Sequence, residues 1–135
     1  MRISWGEDYA VIFMSLLTDN YGKRLVPLSE VSKKYSISLP FLKQLAMMLK
    51  KNDLIKSKEG VTGGYQLAKS PKEITLLQVI SAINDPLKLT ACCGGGFGQH
   101  KENCLKESFC KTKTTWRRIN QEIYDKLNGV KLADL

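Results

Sequence analysis

All four cysteines of the chain lie within one 19-residue stretch, at Cys92, Cys93, Cys104 and Cys110. We call residues 92–110 the cysteine segment. The segment is rich in glycine and polar residues, so it offers little apolar surface that thiols would fill as small hydrophobic groups. Converging thiolates are a common way to bind a soft metal ion or an iron–sulfur cluster. The spacing therefore predicts a metal or redox site.

Length and composition indicate an ordinary domain that keeps its thiols reduced. A chain of 135 residues can bury a core of normal size, so it does not need disulfides in place of one. The beginning, MRISWGEDYAVIFM, lacks the basic start and apolar run of a secretion signal, and the apolar runs are far too short to span a membrane. We therefore expect a cytoplasmic protein without a membrane partner.

Positive charge is concentrated in one part of the chain. The formal net charge is +8, and residues 23–58 hold only two acids, Glu30 and Asp53. The basic residues of this region are Lys23, Arg24, Lys33, Lys34, Lys43, Lys50, Lys51, Lys56 and Lys58. A patch of this kind is expected of a protein that binds a phosphate backbone, although a solvated basic surface has the same composition.

Apolar residues recur with helical spacing in the first half of the chain. They predict a helix from Gly6 to about Asn20, a short helix in VPLSEVSKKY, and a further helix from Leu39 to Asn52. The inward stripe of the last helix is Leu42, Leu45, Ala46 and Leu49. Because a short turn, SIS, joins the second and third helices, the pair is predicted to be a helix-turn-helix.

A hairpin and two further helices are predicted after it. The segments LIKSKEG and GGYQLAK flank a glycine-rich turn at residues 59–64, which is typical of a two-stranded wing. Thr75 and Gln78 form a capping-box pattern that begins a helix over residues 75–84. From about Lys111 to Leu127 a one-sided apolar stripe predicts a helix that packs on a second copy of the chain. The stripe is Trp116, Ile119, Ile123 and Leu127.

The predicted fold is mainly α with a small β-hairpin wing: a winged helix-turn-helix followed by a long C-terminal dimerisation helix. We assign residues 1–88 to DNA binding, residues 89–110 to a cluster-binding loop, and residues 111–135 to the dimerisation helix and a short tail.

The third helix carries the residues suited to reading DNA. In a helix-turn-helix, the second helix of the motif enters the major groove, with its N-terminal residues against base edges. Gln44 suits adenine, and Lys43 suits guanine or phosphate; Pro40 or Phe41 suits a thymine methyl group. The full set of predicted DNA contacts is Ser38, Pro40, Phe41, Lys43, Gln44, Lys50, Lys51, Lys56 and Lys58.

Several motifs together resemble the Rrf-two family of bacterial winged-helix regulators over nearly the whole chain. They are the MRIS…DYAV start, the run ISLPFLKQL, the wing GGYQLAK and the late cysteines. The family includes an iron–sulfur-cluster regulator and a nitric-oxide-sensing repressor. The resemblance implies a homodimer on a palindromic double-stranded operator, which senses iron–sulfur status, nitric oxide or redox stress. Glu59 stands where the iron–sulfur type carries a wing arginine, so the DNA preference is expected to differ.

The resemblance also implies a cofactor, an iron–sulfur cluster of the 2Fe–2S or 4Fe–4S kind. Cys104 and Cys110 match the last two cysteines of the family's three-cysteine motif, including the five residues between them. Cys92 and Cys93 are alternatives for the first ligand.

A fourth ligand is expected outside this motif. The iron–sulfur type uses a histidine three residues after the last cysteine, where this chain has Lys113. The nitric-oxide-sensing type uses an aspartate near the N-terminus of the other subunit, where this chain has Asp8. His100 competes with Asp8, and Glu7 and Glu107 are weaker candidates. An ordinary first-turn acid, stabilised by the helix macrodipole, explains Asp8 equally well.

Two other uses of the cysteines stay open, namely a zinc site and a thiol/disulfide switch. Zinc commonly binds pairs of cysteines separated by two to four residues, and the sequence has none. An enzyme is not expected, because the sequence has no nucleophile–base constellation and no phosphate-binding loop.

Overall fold

The computed structural model describes residues 3–84 and 109–135. Within these ranges the chain forms five α-helices and one antiparallel two-stranded hairpin. In chain order they are α1 (Trp5–Asp19), α2 (Leu28–Tyr35), α3 (Leu39–Lys51), β1 (Ile55–Lys58), β2 (Gly64–Leu67), α4 (Leu76–Ile83) and α5 (Lys113–Gly129). A short 3-10 helix, Leu132–Asp134, follows α5. The mainly helical fold with a hairpin wing is confirmed.

Helix α1 forms one wall of the main core. Its inner face buries Ala10, Phe13, Met14 and Leu17, which recur every three or four residues as one side of a helix does. They pack in the same core as the buried stripe of α3, which is the predicted one: Leu42, Leu45, Ala46 and Leu49. The position of α3, the second helix of the helix-turn-helix, therefore depends on that of α1.

The turn between α2 and α3 is fixed where α2 ends and in its middle. Ser36 ends α2 in the left-handed conformation, with φ of 54°. Ile37 turns its side chain into the core, where it is 3% exposed. The Ser32 hydroxyl donates to the Ile37 carbonyl oxygen over 2.6 Å. These contacts hold α2 and α3 as a helix-turn-helix.

The wing is attached to the core at its base. Its strands pair from Ile55 opposite Leu67 to Lys58 opposite Gly64, and both Ile55 and Leu67 are buried. Val26 and Tyr65 exchange two backbone hydrogen bonds of 2.9 Å. Gly64 has φ of +154°, and a Cβ there would lie 2.8 Å from the Val26 carbonyl group, so only glycine fits.

Helix α4 begins with the predicted capping box. Gln78 N–H donates to Thr75 Oγ1 over 3.1 Å, and Thr75 N–H donates to Gln78 Oε1 over 2.9 Å. Leu77 and Ile80 of this helix form a second small cluster with Tyr124 of α5. Because Leu77 and Ile80 are three residues apart, both lie on the side of α4 that faces α5.

Helix α5 returns along α4 and leads the chain back to the core. Leu76 N–H donates to the Val130 carbonyl oxygen, and Leu132 N–H donates to that of Ile74. Leu132 is fully buried in the main core. The end of α5 thus lies beside the start of α4, and the two helices are antiparallel.

The predicted apolar stripe of α5 remains partly exposed in the single chain. Trp116 is 40% exposed, and Ile119 and Ile123 are half-buried. The buried side chains of α5 are instead Asn120 and Tyr124. At about 1.5 Å per residue, α5 is about twice as long as α4, so its first half extends past the helix it packs on.

None of the described helices is both long and apolar enough to cross a bilayer.

We expect Leu132→Ala to lower the free energy of unfolding by about 2–5 kcal/mol, because it leaves a cavity where a fully buried side chain was. Urea unfolding followed by circular dichroism measures the change. Leu135→Ala is the control, since Leu135 is 60% exposed and should matter by less than about 0.5 kcal/mol. Equal effects of the two substitutions would contradict the packing of the C-terminal turn on the core.

Candidate DNA interface and sensor site

The first turns of α3 present an exposed polar face. Pro40 lies in the first turn, where a missing N–H costs no hydrogen bond, and Ser38 precedes the helix as its N-cap. The exposed side chains of this face are Ser38, Pro40, Lys43, Gln44 and Met47. Lys43 and Gln44 are consecutive residues, and both are exposed on the surface away from the buried stripe. Both side chains can therefore reach a ligand that lies along this side of the helix.

Phe41 is turned away from this face. Its ring is half-buried and meets the Tyr9 ring edge to face, with centroids 5.9 Å apart and planes at 73°. A Cβ at Gly6 would lie 3.7 Å from Phe41 Cζ, so α1 passes close beside the ring. The thymine contact suggested for Phe41 stays untested, but the observed contact is with α1.

A basic groove lies between α3 and the wing. Its open volume is about 540 Å³, and its walls include Lys43 and Lys50 of α3 and Ser57 and Lys58 of β1. Lys50 Nζ donates to Ser57 Oγ over 2.6 Å, which ties the recognition helix to the wing. Lys51 and Lys56 are exposed as well. The structure thus brings three of the predicted DNA contacts, Lys43, Lys50 and Lys58, together at one groove.

Asp8 lies in the first turn of α1 with its side chain exposed. It borders an open cavity of about 270 Å³, lined also by Ile3, Ser4, Trp5 and Tyr9. Among residues 3–84 and 109–135, no side chain hydrogen-bonds or forms an ion pair with its carboxylate. The carboxylate is therefore accessible to a ligand.

Cys110 is the one predicted cysteine ligand within the described ranges. It is half-buried, just before α5, and its Sγ lies 3.3 Å from Thr112 Oγ1. Lys113, at the position of the family's histidine, is the first residue of α5. The remaining candidates lie outside the described residues: Cys92, Cys93, His100, Cys104 and Glu107. In the described part of the chain, no three side chains of the metal-binding types come together.

Glu7 has a role that the sequence reasoning missed. Its side chain is fully buried, and one oxygen, Oε2, accepts hydrogen bonds from both the amide and the hydroxyl of Ser4. The other oxygen, Oε1, accepts from Asn84 Nδ2 over 2.9 Å. Burial alone raises the pKa of Glu7, but these hydrogen bonds from Ser4 and Asn84 outweigh it, so the pKa is lowered. Both oxygens are occupied, which does not favour Glu7 as a metal ligand.

The contact between Ser4 and Glu7 could have been predicted from the sequence, whereas the contact between Glu7 and Asn84 could not. Ser4 followed three residues later by Glu7 is the capping-box pattern at a helix start. Asn84 carries no such signal, because 77 residues separate it from its partner.

A family model described as Rrf2, iron-dependent transcriptional regulator, matches residues 3–135. The chain belongs to the Rrf2 family. The HTH-type transcriptional regulator IscR of Pectobacterium carotovorum subsp. carotovorum is 37% identical over 135 residues, which is all of this chain and 79% of the relative. The putative HTH-type transcriptional regulator ORF2 of Azotobacter vinelandii is 34% identical over the same length and has the same coverage.

Solved structures agree with this assignment. IscR of T. potens superposes with a TM-score of 0.76 at 28% identity, over 99% of this chain and 85% of that one. CymR, the global cysteine regulator of B. subtilis, shares the fold with a TM-score of 0.77 at 24% identity, over 99% and 95%. This Rrf2-family chain is therefore a DNA-binding, winged-helix transcriptional regulator and not an enzyme.

Proposed function

We propose that this Rrf2-family regulator senses iron–sulfur status, nitric oxide or redox stress through an iron–sulfur cluster bound at the cysteine segment. The observation that carries the proposal is the grouping of all four cysteines in 19 residues of a chain whose family model is described as iron-dependent. Thiolates of this kind stay reduced in the cytoplasm, which is the compartment we propose.

The donor set fits such a cluster chemically. Cys104 and Cys110 would supply two thiolates, and Cys92 or Cys93 would supply the third. Asp8, supplied by a second copy of the chain as in the nitric-oxide-sensing type, is our choice for the fourth ligand because its carboxylate is exposed at an open cavity and is not engaged by the described side chains. His100 is the alternative. When bound, a cluster with one oxygen or nitrogen ligand supplies an iron atom that nitric oxide or oxygen can attack.

The side chains next to Asp8 offer a route from the sensor site to DNA. Tyr9 follows Asp8 in α1, and its ring contacts Trp5 on one side and Phe41 of α3 on the other. A shift of the first turn of α1 would therefore displace α3, the helix proposed to enter the major groove. Closely packed contacts of this kind pass a displacement on rather than absorb it. Two arrangements of α1 would then correspond to two affinities for DNA.

We propose that the active form is a homodimer on a palindromic double-stranded operator. The exposed stripe of α5 supports it, because Trp116 and its apolar neighbours form a face that a second α5 can cover. Two-fold symmetry would present two α3 helices to successive major grooves, about 34 Å apart. Gln44 and Lys43 would read bases, while the lysines of the groove and wing would contact phosphates.

Anaerobic purification should give a brown protein that contains iron and acid-labile sulfide, and Cys110→Ser should lose both. The measurement is metal and sulfide analysis with a visible spectrum. Zinc without sulfide would indicate the zinc alternative. Reversible disulfides in a metal-free protein would indicate the thiol switch. A colourless protein with neither iron nor sulfide after reconstitution would contradict the proposed cluster.

Asp8→Ala should change the operator affinity of the iron-loaded protein much more than that of the metal-free protein, because only the loaded form would use Asp8 as a ligand. Fluorescence anisotropy with a labelled operator measures both affinities. Asp19→Ala is the matched control, since Asp19 is an exposed aspartate at the other end of α1. Equal effects of Asp8→Ala on the two forms would refute the coupling.

Gln44→Ala should weaken operator binding by about 1–3 kcal/mol and relax the preference at one base pair. Binding to a random duplex should hardly change. Competition binding against a panel of single-base variants measures the preference. Gln121→Ala, on the surface of α5 and bonded there to Asp125, is the control that should leave both affinities unchanged. Equal weakening on operator and random DNA would show that Gln44 does not read a base.

A further inference from the structure

One acidic side chain lies in the basic groove between α3 and the wing. Of the described residues that line this groove, three are lysines and Glu59 is the single acid. Glu59 is exposed, and within the described ranges its side chain forms no hydrogen bond and no ion pair. The carboxylate therefore does not neutralise a neighbouring lysine. Because it stands where a DNA backbone is expected to lie, it either finds a partner on the DNA or weakens binding.

The turn of the wing keeps Glu59 at the edge of the groove. Glu59 directly follows Lys58, the last residue of β1. Across the turn, Gly63 N–H donates to the Gly60 carbonyl oxygen over 3.0 Å. A Cβ at Gly63 would clash with the Lys58 carbonyl oxygen, so the chain folds tightly back on the strand. The backbone of Glu59 is therefore held at the strand end, and only its side chain can adjust to a bound duplex.

The lysines of the groove indicate on which side of a DNA strand the wing lies. Lys43 and Lys50 belong to α3 and Lys58 belongs to the wing, so a phosphate strand in the groove would be contacted from both sides. A single backbone strand separates the major groove of B-DNA from the minor groove. With α3 in the major groove, the wing therefore lies over the minor groove. This docking brings Glu59 beside base edges of the minor groove.

Only one kind of base pair offers a partner to a carboxylate in the minor groove. An ionised carboxylate accepts hydrogen bonds and donates none. A·T and T·A pairs show only acceptors there, whereas a G·C pair adds the N2 amino group of guanine. Runs of A·T pairs also narrow the minor groove and strengthen its negative potential, which repels a carboxylate. The contact of Glu59 is therefore favourable with a G·C pair and unfavourable with an A·T pair.

We propose that Glu59 is a specificity residue, which accepts a hydrogen bond from the guanine N2 amino group of a G·C pair under the wing and disfavours A·T pairs there. The inference rests on the proposed docking of α3 in the major groove, and it does not depend on a bound cluster. Exchange of the preferred pair for an A·T pair should lower the affinity by roughly 10-fold.

The first experiment selects duplexes from a random library with the full-length protein, with and without its metal. Wild type should enrich G·C pairs at one position in each half-site, beside the bases under α3. Glu59→Ala should lose that enrichment and keep the preference under α3. Glu73→Ala is the matched control, because it removes an exposed acid that does not line the groove, and it should leave both preferences unchanged.

Base analogues then distinguish the two grooves of the DNA. Inosine in place of the enriched guanine removes only the N2 amino group and leaves the major-groove edge as it was. Diaminopurine in place of adenine adds an amino group in the minor groove. Wild type should lose roughly 10-fold in affinity with inosine and regain a similar factor when diaminopurine replaces adenine in an A·T variant. Glu59→Ala should respond to neither analogue. Fluorescence anisotropy at one fixed salt concentration measures the affinities.

The outcomes separate this inference from the proposed docking. Sequence-specific binding with the same base profile in Glu59→Ala and wild type would overturn the role of Glu59. A G·C preference that persists with inosine would also overturn it, because the contact would then lie in the major groove. A wild-type protein that selects no sequence at all would overturn the docking of α3 and the role of Glu59 together.

Discussion

The burial of one face of α1 is the contact on which the rest of the molecule depends. That face packs against α3, β2, α4 and the C-terminal turn, and Phe13 within it is fully buried and meets the Tyr65 ring edge to face. Removing such side chains from water is the main favourable contribution to folding. Since protein interiors are close-packed, α1 cannot tilt without moving the elements around it. The helix that carries Asp8 is thus also the helix that supports the recognition helix.

The first turn and the middle of α1 meet different neighbours. At its N-terminal turn, the neighbours are Phe41 and the end of α4; further along the helix, Phe13 contacts Tyr65 in the wing. The wing in turn is held by the backbone bonds between Val26 and Tyr65 and by the bond from Lys50 to Ser57. Both parts that we propose to face DNA, α3 and the wing, are therefore supported from the same helix. A regulator in which a ligand at one end of α1 alters the spacing of these parts needs no hinge between separate domains.

Local periodic signals predicted most of the fold. The stripe of α3, the hairpin and the Thr75 capping box each depend on residues a few positions apart, whose geometry a helix or a turn fixes by itself. Contacts between distant segments carried no such signal. The return of Leu132 to the core and the bond from Asn84 to Glu7 depend on how helices pack, and neither is visible in a local pattern. Phe41 shows a third limit, because a residue at the edge of an apolar stripe can face either the core or the solvent.

Glu7 and Asp8 illustrate how helical geometry can divide two roles between adjacent residues of the same chemistry. Successive residues of a helix point about 100° apart, so one carboxylate can face α4 while its neighbour faces the open cavity. Glu7 is buried, and hydrogen bonds to Ser4 and Asn84 lower its pKa, so it stays ionised and engaged. Asp8 is exposed and makes no bond with the described side chains, so it remains available to bind or release a ligand. The sensor that we propose would use both properties, since its site would be held in position while one of its ligands remained exchangeable. Both are present within a single turn of α1.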